Sequence, residues 1–140
     1  MLSQTVEYAL RAMIFLASSG GEAVSSERIA AQTRVPAGYL SKVMRDLVLA
    51  HLVESFRGPR GGFVLAALPG AITILDVVNA VNPIRRIERC PLGDPSHDRL
   101  CVLHQRIDGA LAEIEQTLRA TTLEELATPV PGGGSGAGGD

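Results

Sequence analysis

Residues 89–104 read RCPLGDPSHDRLCVLH, a stretch that holds both cysteines of the 140-residue chain and two of its three histidines. Thiolate sulfur and imidazole nitrogen are the donors that zinc ions and iron–sulfur clusters take, and a thiolate also attacks oxidants and disulfides. Cys101 and His104 stand at C-x-x-H spacing, with Cys90 and His97 earlier in the same segment. Cys90, His97, Cys101 and His104 together make a Cys₂His₂ complement, suited to tetrahedral zinc or to a two-iron cluster of mixed ligation. Arg85, Arg86, Arg89 and Arg99 flank the two thiols and favour their anionic form, while Glu88, Asp94 and Asp98 dilute that field. The same residues without metal would make a thiol switch. The bland alternative is a pair of solvated histidines and two inert cysteines.

What positions these residues has to be sought in the rest of the chain. Its length suits one domain, and 46% hydrophobic residues suffice for a core that aliphatic side chains must fill, because aromatics are only 4%. Glu7 and Arg11 interrupt the apolar amino-terminal run, and no span of about 18 apolar residues exists, so neither a signal peptide nor a membrane segment is expected. A cytoplasmic protein follows as the expectation, and in a reducing compartment two cysteines bind metal, react or lie inert rather than form a structural disulfide.

Val6, Ala9, Leu10, Met13, Ile14 and Ala17 recur at helical spacing over residues 4–18. After GGEA, Ser25 or Ser26 can cap a second helix, SSERIAAQTR, and Pro36 suits the first turn of a third. Leu40, Val43, Met44, Leu47 and Val48 form the third helix's apolar stripe. LVESF and FVLA are β-prone runs on either side of RGPRGG, which predicts a hairpin with a glycine-rich tip. Thr73 can cap a short helix through TILDVVNAV. From Leu100 the apolar residues Leu103, Ile107, Leu111, Ile114 and Leu118 follow in steps of three and four, a heptad-like seam that calls for a partner helix. TTLEELATP reads as a closing turn, and the segment after it has too few apolar groups to fold.

A mainly helical α+β chain of this order has the layout of a winged helix-turn-helix, in which the second helix of the pair enters the major groove. Net charge is only −2, yet residues 28–60 carry six cations against two carboxylates, while residues 106–125 carry two against five. A near-neutral total thus hides a basic front and an acidic back. Each cation taken singly is more often a solvated surface group; the ordered set favours duplex DNA. Ala37, Gly38, Tyr39, Ser41 and Lys42 are expected to face the groove, with Ser26, Arg28 and Arg45 as further contacts. Arg57 and Arg60 sit at the wing tip, where guanidinium groups suit a narrow minor groove. No serine–histidine–acid set, phosphate loop or paired-carboxylate pocket appears, so an enzyme is not expected.

EYALRAMIFLA, SSERIAAQTRVPAGYLSKVMRDLVLAHLVES, RGPRGGFVLA and ITILDVVNAV resemble the Rrf-type winged-helix regulators, the family of IscR, NsrR, CymR and BadM. The resemblance covers residues 1–127. It implies a homodimer on a partly palindromic operator, acting as a repressor that responds to redox, iron–sulfur or nitric-oxide status, with the long carboxy-proximal helix crossing to the other subunit. The implied organisation is a winged-helix domain over 1–82, a cysteine-containing sensor loop over 83–104, a dimerisation helix with its closing turn over 105–127 and a disordered tail over 128–140. Leu103, Ile107, Leu111, Ile114 and Leu118 would line the dimer contact. Cluster-bearing relatives place three cysteines in this loop, whereas here the middle one is replaced by DPSHD. A 2Fe–2S cluster on Cys90, Cys101 and His104 is the first expectation, with His97 completing the set. Alternatively Glu7 would complete it, since it resembles the carboxylate that nitric-oxide-sensing relatives contribute across the dimer. Zinc and no metal remain open, the latter as in the branch controlled by a partner protein. Arg34 and His51 stand where relatives often carry glycine, at spots that call for positive φ.

Overall fold

The computed structural model describes residues 3–88 and 101–127, and among these no helix is long and apolar enough to cross a membrane. Ser3 caps α1 (Gln4–Ala17) by accepting the Val6 amide at 3.3 Å. The buried face of α1 consists of Val6, Ala9, Ala12, Met13 and Leu16, so the expected stripe is rotated, and Leu10, Ile14 and Ala17 are only half-buried. The shift has a simple cause: α1 packs against four helices, α2 (Ser26–Thr33), α3 (Ala37–Leu49), α4 (Ile74–Val81) and α6 (Leu123–Ala127), and against a strand of the wing, and no single-sided stripe can serve so many neighbours.

Ser25 rather than Ser26 caps α2, accepting the Arg28 amide at 3.2 Å. Pro36 is the residue before α3 and not part of its first turn; its carbonyl accepts from Leu40 at 2.8 Å. Both expected positive-φ sites are present, Arg34 at 58° and His51 at 62°. Around His51 the amides of His51 and Leu52 donate to Val48 and Leu47, each at 3.0 Å, which is the reciprocal pattern of a Schellman motif. Its left-handed residue is ordinarily glycine, and here histidine fills the position.

Strands β1 (Val53–Phe56) and β2 (Gly62–Leu65) pair antiparallel, Phe56 opposite Gly62. A third segment joins them: Val24 donates to and accepts from Phe63 at 3.0 and 2.8 Å. Gly62 makes this join possible. Its φ is 142°, and a Cβ there would overlap the Val24 carbonyl.

Thr73 and Asp76 form a complete capping box on α4, with bonds of 3.1 and 2.9 Å. Beyond α4 the Arg86 guanidinium donates twice to the Asp108 carboxylate of α5 (Val102–Ala120), at 2.7 and 2.6 Å, and the Ile87 amide donates to it at 2.9 Å. Past α5 the chain returns to the core. Ile74 donates to Thr121 at 2.9 Å, Leu123 donates to Ile72 at 3.0 Å, and the Leu123 side chain is fully buried. The closing turn is thus the last piece of the same core that α1, α3 and α4 share. Cys90, His97, Leu100 and the tail expected to be disordered lie outside the described residues.

Among the described residues the arm that leaves α4 is tied to α5 by the Arg86–Asp108 clamp, whose response to pH is predictable. Hydrogen bonds from Arg86 and from the Ile87 amide lower the Asp108 pKa from 3.8 to about 2. A depressed carboxylate stabilises the fold above its unfolded value and loses that contribution as pH falls from 3.8 through 2. Asp108→Asn should therefore melt below the parent protein at neutral pH, and scanning calorimetry should find the gap closing as the buffer is taken down through that window.

Candidate nucleic-acid interface

Helix α3 has two faces. Leu40, Val43, Met44 and Leu47 are buried, while Ala37, Gly38, Ser41, Lys42 and Arg45 are exposed. Residues 38, 41, 42 and 45 follow three- and four-residue spacing and so lie along one stripe of the helix. A Cβ at Gly38 would meet nothing within 4 Å, so the fold does not require glycine there. Ser41 turns its hydroxyl back to the Ala37 carbonyl at 3.2 Å. Tyr39 is set apart from the others. It is half-buried, its ring stands edge-on to Tyr8 at 5.0 Å, and its hydroxyl is hydrogen-bonded to Thr5 Oγ1.

Ser26 is half-buried and Arg28 exposed at the start of α2. Arg57 and Arg60 are exposed on the turn of the wing, where Gly58 adopts a φ of 105° and accepts from the Gly61 amide at 2.9 Å. Among the described residues the ion pairs are Arg86–Asp108 and Arg119–Glu115. Arg28, Lys42, Arg45, Arg57 and Arg60 therefore have no carboxylate partner among the described residues and are available to phosphates.

Between α3 and the wing lies a cleft of about 350 Å³, with Ser26, Ser41, Ser55 and Arg45 around an apolar lining that includes Met44, Val48, Leu49 and Phe63. Ser55, Leu49 and Phe63 escaped the sequence reading. Strand alternation alone cannot say that this side of β1 faces α3; only the pairing register does.

At the other end of the fold Cys101 is the N-cap of α5, and its Sγ lies 2.9 Å from His104 Nδ1. His104 is buried despite its polarity. The contact is a hydrogen bond, tighter than the roughly 3.5 Å that sulfur and nitrogen keep when both bind one tetrahedral ion. Among the described residues no third histidine, cysteine or carboxylate joins the pair, and Glu7 is exposed on α1. Donor chemistry fits a metal; the described residues supply two of the four donors.

The seam on α5 divides. Leu103 and Ile107 are 58% and 41% exposed, beside an exposed Val102 that the heptad reading passed over. Leu111 and Ile114 are half-buried, and Leu118 packs against the core of its own chain.

A helix pair presenting a cationic stripe, followed by a glycine-turned wing with two exposed arginines, defines a winged-helix DNA-binding protein. The Rrf2 family, described as "Iron-dependent Transcriptional regulator", matches residues 2–129, and the chain belongs to that family. It is 36% identical over 133 residues to the transcriptional regulator CymR of Bacillus subtilis, covering 94% of this chain and 92% of that one. The solved structure of that global cysteine regulator superposes with a TM-score of 0.75 at 31% identity, covering 91% and 95% of the two chains. IscR of T. potens superposes equally well, with a TM-score of 0.75 at 27% identity over 90% of this chain and 85% of that one. Family and fold are those of transcriptional regulators, not of enzymes.

Arg60→Ala removes one exposed cation from the wing. It should weaken binding to duplexes of any sequence and reduce the slope of log affinity against log salt by about one. Fluorescence anisotropy at several salt concentrations reads both, and an unchanged slope would take Arg60 out of the interface.

Proposed function

We propose that the protein is a homodimeric, operator-binding repressor whose DNA affinity is set by the redox or metal state of the Cys90–His104 segment. The observation that carries the reading is the pairing of Cys101 with a buried His104 at the first turn of α5, where Val102, Leu103 and Ile107 are exposed together. Chemistry at that sulfur is immediately next to the surface on which two subunits would meet.

In this reading α3 of each subunit lies in a major groove, with Lys42 and Arg45 on phosphates and base edges, and Arg57 and Arg60 follow the wing to the minor groove. Two such readers must be spaced by about one helical turn, roughly 34 Å, to bind one face of a duplex. Cys90, Cys101 and His104 would hold a 2Fe–2S cluster or a zinc ion, with His97 or Glu7 of the partner subunit as the fourth donor. Such a centre would tie the segment to the start of α5. Its loss, nitrosylation or oxidation would then alter the spacing of the readers without touching a base. A thiol switch on Cys101 needs no metal and uses the same lever.

Two measurements decide between these. Ile107→Asp places a charge in the apolar contact, and because the side chain is exposed in the single chain the fold should survive. Sedimentation should show a monomer with operator affinity reduced more than about tenfold; an intact dimer would refute the contact. Protein purified without oxygen should carry visible iron–sulfur absorption that Cys101→Ser abolishes. A colourless product containing zinc, or one without metal but with oxidant-sensitive DNA binding, would assign the switch to zinc or to the thiol. Equal operator affinity in every state would end the sensing role.

A further inference from the structure

Tyr39 stands in the first turn of α3, amid residues that face outward, yet it points the other way. Its ring meets Tyr8 edge-on at 5.0 Å with an interplanar angle of 82°, and its hydroxyl is bonded to Thr5. Tyr8 is itself fixed from two sides, by the Gln4 amide donating to its hydroxyl at 2.9 Å and by the Arg11 guanidinium 5.5 Å from its ring centre. The turn of α1 that offers Thr5 and Tyr8 is anchored as well, because Ser3 caps it and also accepts the Asn82 side-chain amide at 3.1 Å. Asn82 is where α4 ends and the arm towards α5 begins.

Buried Val35 and Leu40 anchor the start of α3 by apolar contacts that carry no direction, and no side-chain hydrogen bond caps it. Pro36 supplies no side-chain cap, and Ala37 and Gly38 are exposed. Glycine at the second helical position also lowers the helix propensity of the very turn that must enter the groove. A phenol held at both ring and hydroxyl supplies the missing constraint.

We infer that Tyr39 is a positioning residue for operator recognition, fastened to α1 by Thr5 and Tyr8, and not a contact to DNA. The inference rests on the reading that α3 enters the major groove. Positioning matters more for a sequence-specific fit than for binding to phosphates, which tolerates small displacements. Tyr39→Phe keeps the ring on Tyr8 and removes only the hydroxyl. Thr5→Val removes the same bond from the α1 side and keeps the branched shape.

Anisotropy titrations with operator and with unrelated duplex test this. A lost hydrogen bond of ordinary strength corresponds to a loss of about two- to tenfold. Each single variant should lose that much operator affinity and hold its non-specific affinity within about twofold, at similar melting temperatures. Because both act on one bond, the double variant should be no worse than either single one. If Tyr39→Phe weakens both duplexes while Thr5→Val changes neither, the hydroxyl contacts DNA directly and the inference fails. If both leave operator affinity unchanged, it also fails. Lys42→Ala serves as the control: if it too binds operator normally, the groove assignment of α3 is what has failed.

Discussion

The architecture depends on how closely other helices can approach α1. Ala9 and Ala12 are completely buried in its middle, and Met13 beside them is equally sealed. Small side chains let neighbouring backbones come near, and the flexible thioether fills the irregular space that remains. Every part of the reader takes its place from that contact: α2 and α3 of the helix-turn-helix, β2 of the wing, α4 and the returning α6 all pack on α1. A bulkier residue at Ala9 or Ala12 would push several elements at once, since a packed core transmits displacement instead of absorbing it.

Much of this was legible in the chain. The three helices, the hairpin and the Thr73 cap were readable, because each rests on local chemistry: spacing of apolar residues, a hydroxyl before a helix, a break after one; the left-handed positions of Arg34 and His51 followed only from the resemblance to relatives that carry glycine there. The rotated face of α1 was not readable, since Ala12 and Leu16 are buried by elements distant in sequence. Nor was the role of Val24. It looks like an ordinary apolar residue between two helices, and only the fold shows it pairing with Phe63 over a glycine.

The candidate site was legible to a similar degree. Charge separated the basic front from the acidic back, and Lys42, Arg45, Arg57 and Arg60 are indeed exposed on the elements expected to carry them. Tyr39 looked like its neighbours, because one sequence position cannot reveal which way a half-buried ring turns. At the cysteine end, C-x-x-H spacing on a helical start brought sulfur and nitrogen together as one turn of helix requires. At the far end of the α5 seam Leu118 packs against its own chain's core, and a heptad pattern does not distinguish a partner helix from the helix's own domain.

The bond pair between Val24 and Phe63 fastens the wing to the link joining α1 and α2. Together with the packing of β1 on α3 this holds the wing to the helix pair, so in the proposed dimer the offset in base pairs between the footprints of α3 and the wing would be a constant of the chain. Alternative regulatory states of such a protein would recognise the same half-site motif and differ only in the gap they prefer between two copies of it.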